Sequence, residues 1–269
     1  MLNQHKKQMK KTALITGASS GLGKEFAKIH AKKGGDLVIV ARSKDKLVAL
    51  KEELEKKYKV HVSVIEKDLT EPNAALDVYN FVKFSKIDVD YLINNAGFGG
   101  IGKFYERPWD KDLSMIQLNI IGLTDLTRKF LPDFVTKNSG KILNVSSTAS
   151  LMAGPMQAVY FATKAYVTSF SNAISEELHD TNITVTALMP GATETDFGKT
   201  SGMDKTDLFK STADPKKVAE DGYNAMINGD LEIISGVSFA QKIMMKAIPV
   251  TPKSVLLKQV RKMQEPNNS

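Results

Sequence analysis

The sequence of 269 residues contains no cysteine, which excludes disulfide bridges, thiolate metal sites and a cysteine nucleophile, and which fits a reducing compartment. Its four histidines are scattered, and no cluster of histidine and acidic residues has metal-ligand spacing, so the sequence predicts no metal site. No stretch approaches the roughly 20 apolar residues that span a bilayer. Residues 1–11 are polar and basic, without the apolar run of a targeting segment. We therefore expect a cytoplasmic protein.

The chain does contain enough apolar residues, 42%, for one large α/β domain or two small ones. Its formal net charge of +7 raises the question whether the chain binds nucleic acid or a membrane surface. The lysines are spread over many predicted helices, and Trp109 is the only tryptophan, so no groove of interleaved aromatic and basic residues is indicated. We predict no nucleic-acid binding and interpret the charge as solvated helix faces that also favour an anionic cofactor.

Short apolar runs alternate with amphipathic helical patterns along the chain, which is typical of an α/β fold. The runs predict seven strands, at 12–16, 36–41, 60–64, 90–93, 141–145, 183–188 and 232–235. The patterns between them predict helices that include 43–57, a long helix over 108–132, one from about 160 to 178 and one over 214–228.

A glycine-rich turn follows the first strand, with Gly17, Gly21 and Gly23 before a helical pattern. A strand, a glycine turn and a helix in this order let the backbone approach a pyrophosphate, and they direct N–H groups and the helix dipole at it. The spacing is Gly-x3-Gly-x-Gly, which differs from the common Gly-x-Gly-x2-Gly fingerprint. A purely structural turn is the alternative.

Side chains that follow the next strands indicate the rest of a nucleotide site. The second strand ends at Arg42, where an arginine suits a 2′-phosphate and favours NADP over NAD, although it is alternatively a solvated strand end. Asp68 follows the third strand and either accepts a hydrogen bond from an adenine amino group or caps the next helix. After the fourth strand, Asn94 and Asn95 bond backbone on neighbouring strands, and the small residues behind them leave room for a nucleoside.

Tyr160 and Lys164 are four residues apart, so on a helix their side chains share one face. The ammonium favours the phenolate, which predicts that the tyrosine pKa falls from about 10 toward neutrality and that the phenol exchanges a proton with a carbonyl oxygen. Such pairs are common on helix surfaces, but here Ser147 ends the fifth strand upstream. Asn119 lies in the middle of the predicted long helix, an unfavourable position that indicates either function or a satisfied polar core group.

The last third of the chain contributes a loop and a basic extension. The sixth strand leads to Thr193 and Thr195, whose hydroxyls either contact a ligand or are solvated, and residues 197–213 predict a loop that is a candidate lid. Residues 237–263 carry lysine and arginine but no acid, interleaved with apolar residues. This segment either lies on a membrane surface or covers the substrate cleft or a subunit contact, and we favour the second interpretation.

Taken in the order of the chain, these motifs resemble those of the short-chain dehydrogenase/reductase family over nearly all of residues 12–235. The resemblance implies a Rossmann-like doubly wound parallel sheet of about seven strands in a single domain, with a C-terminal helical extension. It implies that Tyr160 is the acid/base, that Lys164 lowers its pKa and bonds the nicotinamide ribose, that Ser147 holds and polarises the substrate oxygen, and that Asn119 supports a water in the proton relay. Ser146 competes for the serine role but lies one step off the family spacing.

The resemblance also implies a hydride transfer between NADP(H), favoured over NAD(H), and a carbonyl or secondary alcohol of an apolar small molecule. Ser20 stands where many NADP-preferring members have a basic residue. The alternative is a catalytically silent cofactor-sensing or scaffolding protein. We expect a homodimer or homotetramer.

The predicted domains are a tail over 1–11, the catalytic domain over 12–236 and the extension over 237–269. The predicted cofactor-binding residues are Gly17, Ser19, Ser20, Gly21, Leu22, Gly23, Arg42, Asp68, Leu69, Asn95, Ala96, Gly97, Tyr160, Lys164, Pro190, Gly191, Thr193 and Thr195.

Overall fold

The computed structural model describes residues 10–206, 209 and 211–265, so nearly all of the predicted tail over 1–11 lies outside the described residues. The described chain forms one sheet of seven parallel strands in the order β3-β2-β1-β4-β5-β6-β7, as predicted. The strands are β1 (Thr12–Thr16), β2 (Asp36–Ala41), β3 (Val62–Glu66), β4 (Tyr91–Asn94), β5 (Gly140–Val145), β6 (Ile183–Pro190) and β7 (Glu232–Ser235).

Helices connect the strands and extend beyond the last one. They are α1 (Gly21–Lys32), α2 (Lys44–Tyr58), α3 (Ala74–Phe84), α4 (Trp109–Ile116), α5 (Leu123–Lys137), α6 (Ala158–Glu177), α7 (Asp196–Ser201), α8 (Pro215–Asn228), α9 (Phe239–Ala247) and α10 (Lys253–Gln264). None of the described helices is both long enough and apolar enough to cross a bilayer.

The sheet is covered on both faces. Residues of α1, α2 and α8 form one core cluster, and residues of α3, α5 and α6 form the other. In β1, Ala13 and Ile15 belong to the first cluster, whereas Leu14 between them belongs to the second. Successive side chains of a strand point to opposite faces, so a strand buried on both faces is apolar throughout. The predicted doubly wound fold is confirmed.

The predicted single helix over 108–132 is wrong in both its regularity and its end. A π-helical segment, Gln117–Gly122, separates α4 from α5, and α5 continues past Pro132 to Lys137. A proline inside a helix removes one backbone hydrogen bond and costs about 3 kcal/mol. Phe130 and Phe134 on either side of Pro132 are fully buried in the core. Their burial offsets that cost, so tertiary packing overrides the local helix-breaking tendency.

The prediction of a loop over 197–213 is also wrong in part. Thr195 caps α7 by accepting a hydrogen bond from the backbone of Phe197 at 3.3 Å, and a 3₁₀ turn, Met203–Lys205, follows. Met203 is buried in a cluster with Tyr160. The helix is too short for its periodicity to stand out in the sequence.

All seven strands point the same way, so their carboxyl ends meet at one edge of the sheet. The strand order reverses between β1 and β4, and at such a switch point the connections leave toward opposite faces and open a crevice. The residues that follow β1, β2, β3, β4, β5 and β6 therefore come together here.

Candidate active site

A cleft of about 1130 Å³ lies along the carboxyl edge of the sheet. It is lined by most of the residues predicted from sequence. These are Gly17, Ser19, Ser20, Gly21, Leu22, Arg42, Asp68, Leu69, Asn95, Ala96, Gly97, Ser147, Tyr160, Lys164, Pro190, Gly191, Thr193 and Thr195. The remaining two, Gly23 and Asn119, support the wall from behind.

The glycine turn has no room for side chains. Gly17 and Gly21 have φ of +66° and +52°, in the left-handed region that favours glycine. A Cβ on Gly23 would lie 2.3 Å from the Gly17 carbonyl oxygen. The Asn95 amide donates to the carbonyls of Thr16 at 2.9 Å and Gly17 at 3.3 Å, which ties the turn to β4 as predicted. The same prediction is wrong for Asn94, whose amide donates to the side chains of Thr127 and Asn144. The turn and the start of α1 thus form a backbone cradle that fits a pyrophosphate.

The far end of the cleft carries an arginine and a carboxylate. The Arg42 guanidinium lies 3.8 Å from the Asp68 carboxylate, and the Arg42 side chain is 74% exposed. One Asp68 oxygen accepts hydrogen bonds from the Thr70 backbone N–H at 2.9 Å and from its hydroxyl at 2.8 Å. Asp68 thus closes a local turn with Thr70, and the alternative that it caps the next helix is wrong, because the N-cap of α3 is Asn73. The contact of Asp68 with adenine stays a prediction. Arg42 keeps most of its donors free for an anion.

The predicted catalytic side chains meet at the middle of the cleft. Tyr160 is buried on α6, and its hydroxyl faces the side chain of Ser147. The Lys164 ammonium, one helical turn further on, donates to the Val145 carbonyl at 2.8 Å and lies 5.9 Å from the centroid of the Tyr160 ring.

The pKa values of this pair differ from the sequence-based prediction. Burial raises the pKa of Tyr160 to about 12, and the hydrogen bond with Ser147 opposes the rise. Burial lowers the pKa of Lys164 to about 8. The prediction that Lys164 pulls the tyrosine pKa toward neutrality is therefore wrong for this structure. The reason is that desolvation disfavours both charged forms, while the ammonium is directed at a backbone carbonyl.

Ser146 does not compete with Ser147 for this position. Its buried hydroxyl donates to the Lys164 carbonyl at 2.9 Å and shares a hydrogen bond of 2.7 Å with Thr168. Successive side chains at a strand end point in opposite directions. Ser146 thus anchors α6 to β5, and Ser147 contacts Tyr160.

Asn119 is a satisfied buried group within the π-helical segment. Its amide oxygen accepts from the Phe98 N–H at 3.1 Å, and its amide nitrogen donates to the Phe98 carbonyl at 2.9 Å and to the Thr163 hydroxyl at 3.1 Å. A π-helical turn inside a helix is frequent at functional sites. Asn119 joins the loop after β4 to α6 on the turn that carries Tyr160.

Residues 11–206 match a family model described as short chain dehydrogenase. The chain belongs to this family. An NADP-dependent 3-hydroxy acid dehydrogenase of Schizosaccharomyces pombe is 38% identical over 192 residues, which are 70% of this chain and 73% of the relative. A 7beta-hydroxysteroid dehydrogenase of Mediterraneibacter gnavus is 27% identical over 226 residues, 83% of this chain and 85% of the relative. A solved short-chain dehydrogenase from Sphingobium yanoikuyae in complex with NADPH has a TM-score of 0.81 at 29% identity, covering 96% of this chain and 100% of that one.

This short-chain dehydrogenase is an oxidoreductase that transfers a hydride between a nicotinamide cofactor and a carbonyl or alcohol carbon. The predicted family and enzymatic function are confirmed. Nothing in the fold or in the relatives supports the catalytically silent alternative.

Sequence reasoning missed part of the wall of this dehydrogenase cleft. Gln157, Met203, Val260 and Gln264 line it, and Val260 is buried in the cluster that holds Tyr160. No motif marks these residues, and two of them lie on α10, about a hundred residues from α6 in the chain. The favoured interpretation of the basic extension included covering the cleft, and residues of α9 and α10 do line it.

Proposed function

We propose that this dehydrogenase reduces the carbonyl group of an apolar small molecule with NADPH, and that Tyr160 supplies the proton. The observation that carries the proposal is the contact between Tyr160 and Ser147 in the buried middle of the cleft. Because burial raises the pKa of Tyr160 to about 12, the phenol is protonated at neutral pH and is an acid. A protonated phenol can act as the general acid of a carbonyl reduction.

In this mechanism Ser147 and Tyr160 both donate hydrogen bonds to the substrate carbonyl oxygen. NADPH, when bound, supplies the hydride to the carbonyl carbon. As negative charge develops on the oxygen, Tyr160 transfers its proton to it, and the alcohol forms. Lys164, with a pKa of about 8, is charged at neutral pH, and its ammonium would bond the nicotinamide ribose beside Tyr160. Oxidation of an alcohol uses the same groups in reverse.

The cofactor preference rests on the exposed Arg42 at the end of β2, which is free to contact a 2′-phosphate. One relative is an NADP-dependent dehydrogenase, and a solved structure similar to this chain holds NADPH. Asn95, Ala96 and Gly97 would hold the nucleoside, and the residues after β6 would close over the other end.

An apolar substrate is supported by the wall around Tyr160. Ala149, Phe161 and Met203 are buried beside it, and Phe197 packs at 5.6 Å between ring centroids. A Cβ on Gly99 would lie 3.3 Å from the Tyr160 ring, so the loop after β4 approaches the reaction centre closely. Polar substrates would leave their hydrogen-bonding groups unpaired here.

The test replaces Tyr160 by phenylalanine and follows NADPH absorbance against a panel of apolar ketones. We expect carbonyl reduction to fall by a factor of about 10² to 10⁴, the usual contribution of a general acid, with NADPH affinity unchanged. Tyr166→Phe is the control, since Tyr166 is on the same helix but its hydroxyl bonds Thr124 at 3.1 Å on the partly exposed face. Undiminished reduction by the Tyr160→Phe variant would refute the assignment.

We also propose that the enzyme is a homodimer through the outer faces of α5 and α6. Ile121 is 57% exposed beside α5, and Tyr166 stacks on Phe170 on α6. Light scattering of the wild type should give twice the mass of the chain, and Ile121→Asp should give a monomer. A wild-type monomer would exclude the proposal.

A further inference from the structure

Two glutamines meet inside the cleft from opposite ends of the chain. Gln157 precedes the first turn of α6, and Gln264 ends α10. Both side chains are buried, at 2% and 0% exposure, and both line the cleft. The Gln157 amide nitrogen donates a hydrogen bond to the Gln264 amide oxygen.

This contact leaves half of each carboxamide unpaired. Two facing carboxamides can form two hydrogen bonds, but only one forms here. The Gln157 oxygen and the Gln264 nitrogen have no partner. Exchanging the orientations of both amides swaps the two residues' roles and again leaves one acceptor and one donor. Buried polar groups are normally paired, because an unmade hydrogen bond is costly.

The surroundings favour a ligand group at this point. Val260, one turn before Gln264, packs in the apolar cluster with Phe161 and Tyr160. The unpaired donor and acceptor are therefore buried polar atoms of two residues that line the cleft beside an apolar cluster. Gln264 lies outside residues 11–206, which match the family model, so the pair forms only when the C-terminal extension packs against α6.

We infer that Gln157 and Gln264 form a subsite for a hydroxyl group that the substrate carries away from its reacting carbonyl. A hydroxyl donates to the Gln157 oxygen and accepts from the Gln264 nitrogen at the same time. A carboxylate only accepts, and it would leave the glutamine oxygen facing another oxygen. The inference rests on the proposed reduction and narrows its substrate to a hydroxylated, otherwise apolar ketone.

The subsite also gives the C-terminal extension a role in specificity. A site built to bond a hydroxyl rejects the analogue without it, since the site's own polar atoms are then left unpaired. α10 therefore helps to select the substrate, while β5 and α6 carry out the reaction.

The experiment compares methyl ketones of five to ten carbons with the same ketones bearing a terminal hydroxyl. For wild type we expect the hydroxylated compound to have about tenfold or higher kcat/KM at the chain length that reaches the subsite. Gln264→Met and Gln157→Met should each abolish this preference, because each lowers kcat/KM for the hydroxylated ketone more than for the plain ketone. Lys258→Met, on the exposed face of the same helix and outside the cleft, should keep the preference.

Binding of the same ketone pairs to the NADPH-loaded protein, measured by calorimetry, separates this inference from the proposed function. If no ketone is reduced but the hydroxylated ones still bind more tightly through both glutamines, the proposed reduction fails and the subsite stands. No preference at any chain length in wild type would overturn the subsite. Equal losses on both ketones in the two variants would also overturn it, since the glutamines would then only fasten α10 to α6.

Discussion

Replacing Arg42 by alanine tests the cofactor preference. The Arg42 side chain is 74% exposed, and its ion pair with Asp68 is long, at 3.8 Å. The guanidinium therefore loses little interaction energy when it turns to bind a phosphate. A hydrogen bond to a charged group contributes about 1.5–3 kcal/mol. Solvent exposure places Arg42 at the lower end of that range. We therefore expect the NADPH dissociation constant to rise about tenfold, which corresponds to about 1.4 kcal/mol.

NADH lacks the 2′-phosphate, so its affinity should stay unchanged in the Arg42→Ala variant. The assay is a fluorescence titration of both reduced nucleotides at low and high salt, and added salt should shrink the effect because the charges are exposed. Arg128→Ala is the control, since Arg128 is an exposed arginine on α5 that does not line the cleft. Equal weakening of NADPH and NADH would mean that Arg42 only supports the strand end. Unchanged NADPH binding would refute the reasoning outright.

Three further perturbations have defined outcomes. Burial raises the pKa of Tyr160 to about 12, so the ultraviolet difference between the unliganded wild type and Tyr160→Phe should show no phenolate at pH 9. A phenolate signal there would contradict this. Gly23→Ala places a Cβ 2.3 Å from the Gly17 carbonyl oxygen and should abolish measurable dinucleotide binding by fluorescence. Binding at wild-type strength would show that the turn is not the cradle. Burial lowers the pKa of His30 below 6.5, while its ring accepts from the Tyr223 hydroxyl at 2.8 Å. The unfolded chain takes up this proton first, so the free energy of unfolding should decrease as pH falls below about 6.5, and less so in His30→Gln. Equal slopes in urea titrations would exclude His30 as the cause.

Local sequence patterns were enough to predict the fold and the order in which the site motifs occur along the chain. Strands buried on both faces are apolar throughout, so β1 and its neighbours stand out without any knowledge of the sheet. The glycine turn follows from its own geometry, because Gly17 and Gly21 need left-handed backbone that other residues rarely adopt. Tyr160 and Lys164 share a helix face by spacing alone.

The boundaries of α5 and α7 depend on packing against residues that are distant in the sequence, so local sequence patterns could not predict them. Pro132 stays inside α5 because Phe130 and Phe134 are buried in the core on either side of it. The roles of the two serines after β5 were likewise open until α6 packed against the strand and the Ser146 hydroxyl bonded the Lys164 carbonyl.

The sequence by itself determined which candidate reactive side chains are present, in what order they occur, and where a glycine turn precedes a helix. Each of those features depends on a short segment of the sequence, in which covalent geometry and the periodicity of helices and strands determine the outcome. The tertiary structure alone decided the protonation of Tyr160 and the meeting of Gln157 with Gln264. Burial sets the first and long-range packing sets the second, and both arise only when distant segments exclude water from the same cavity.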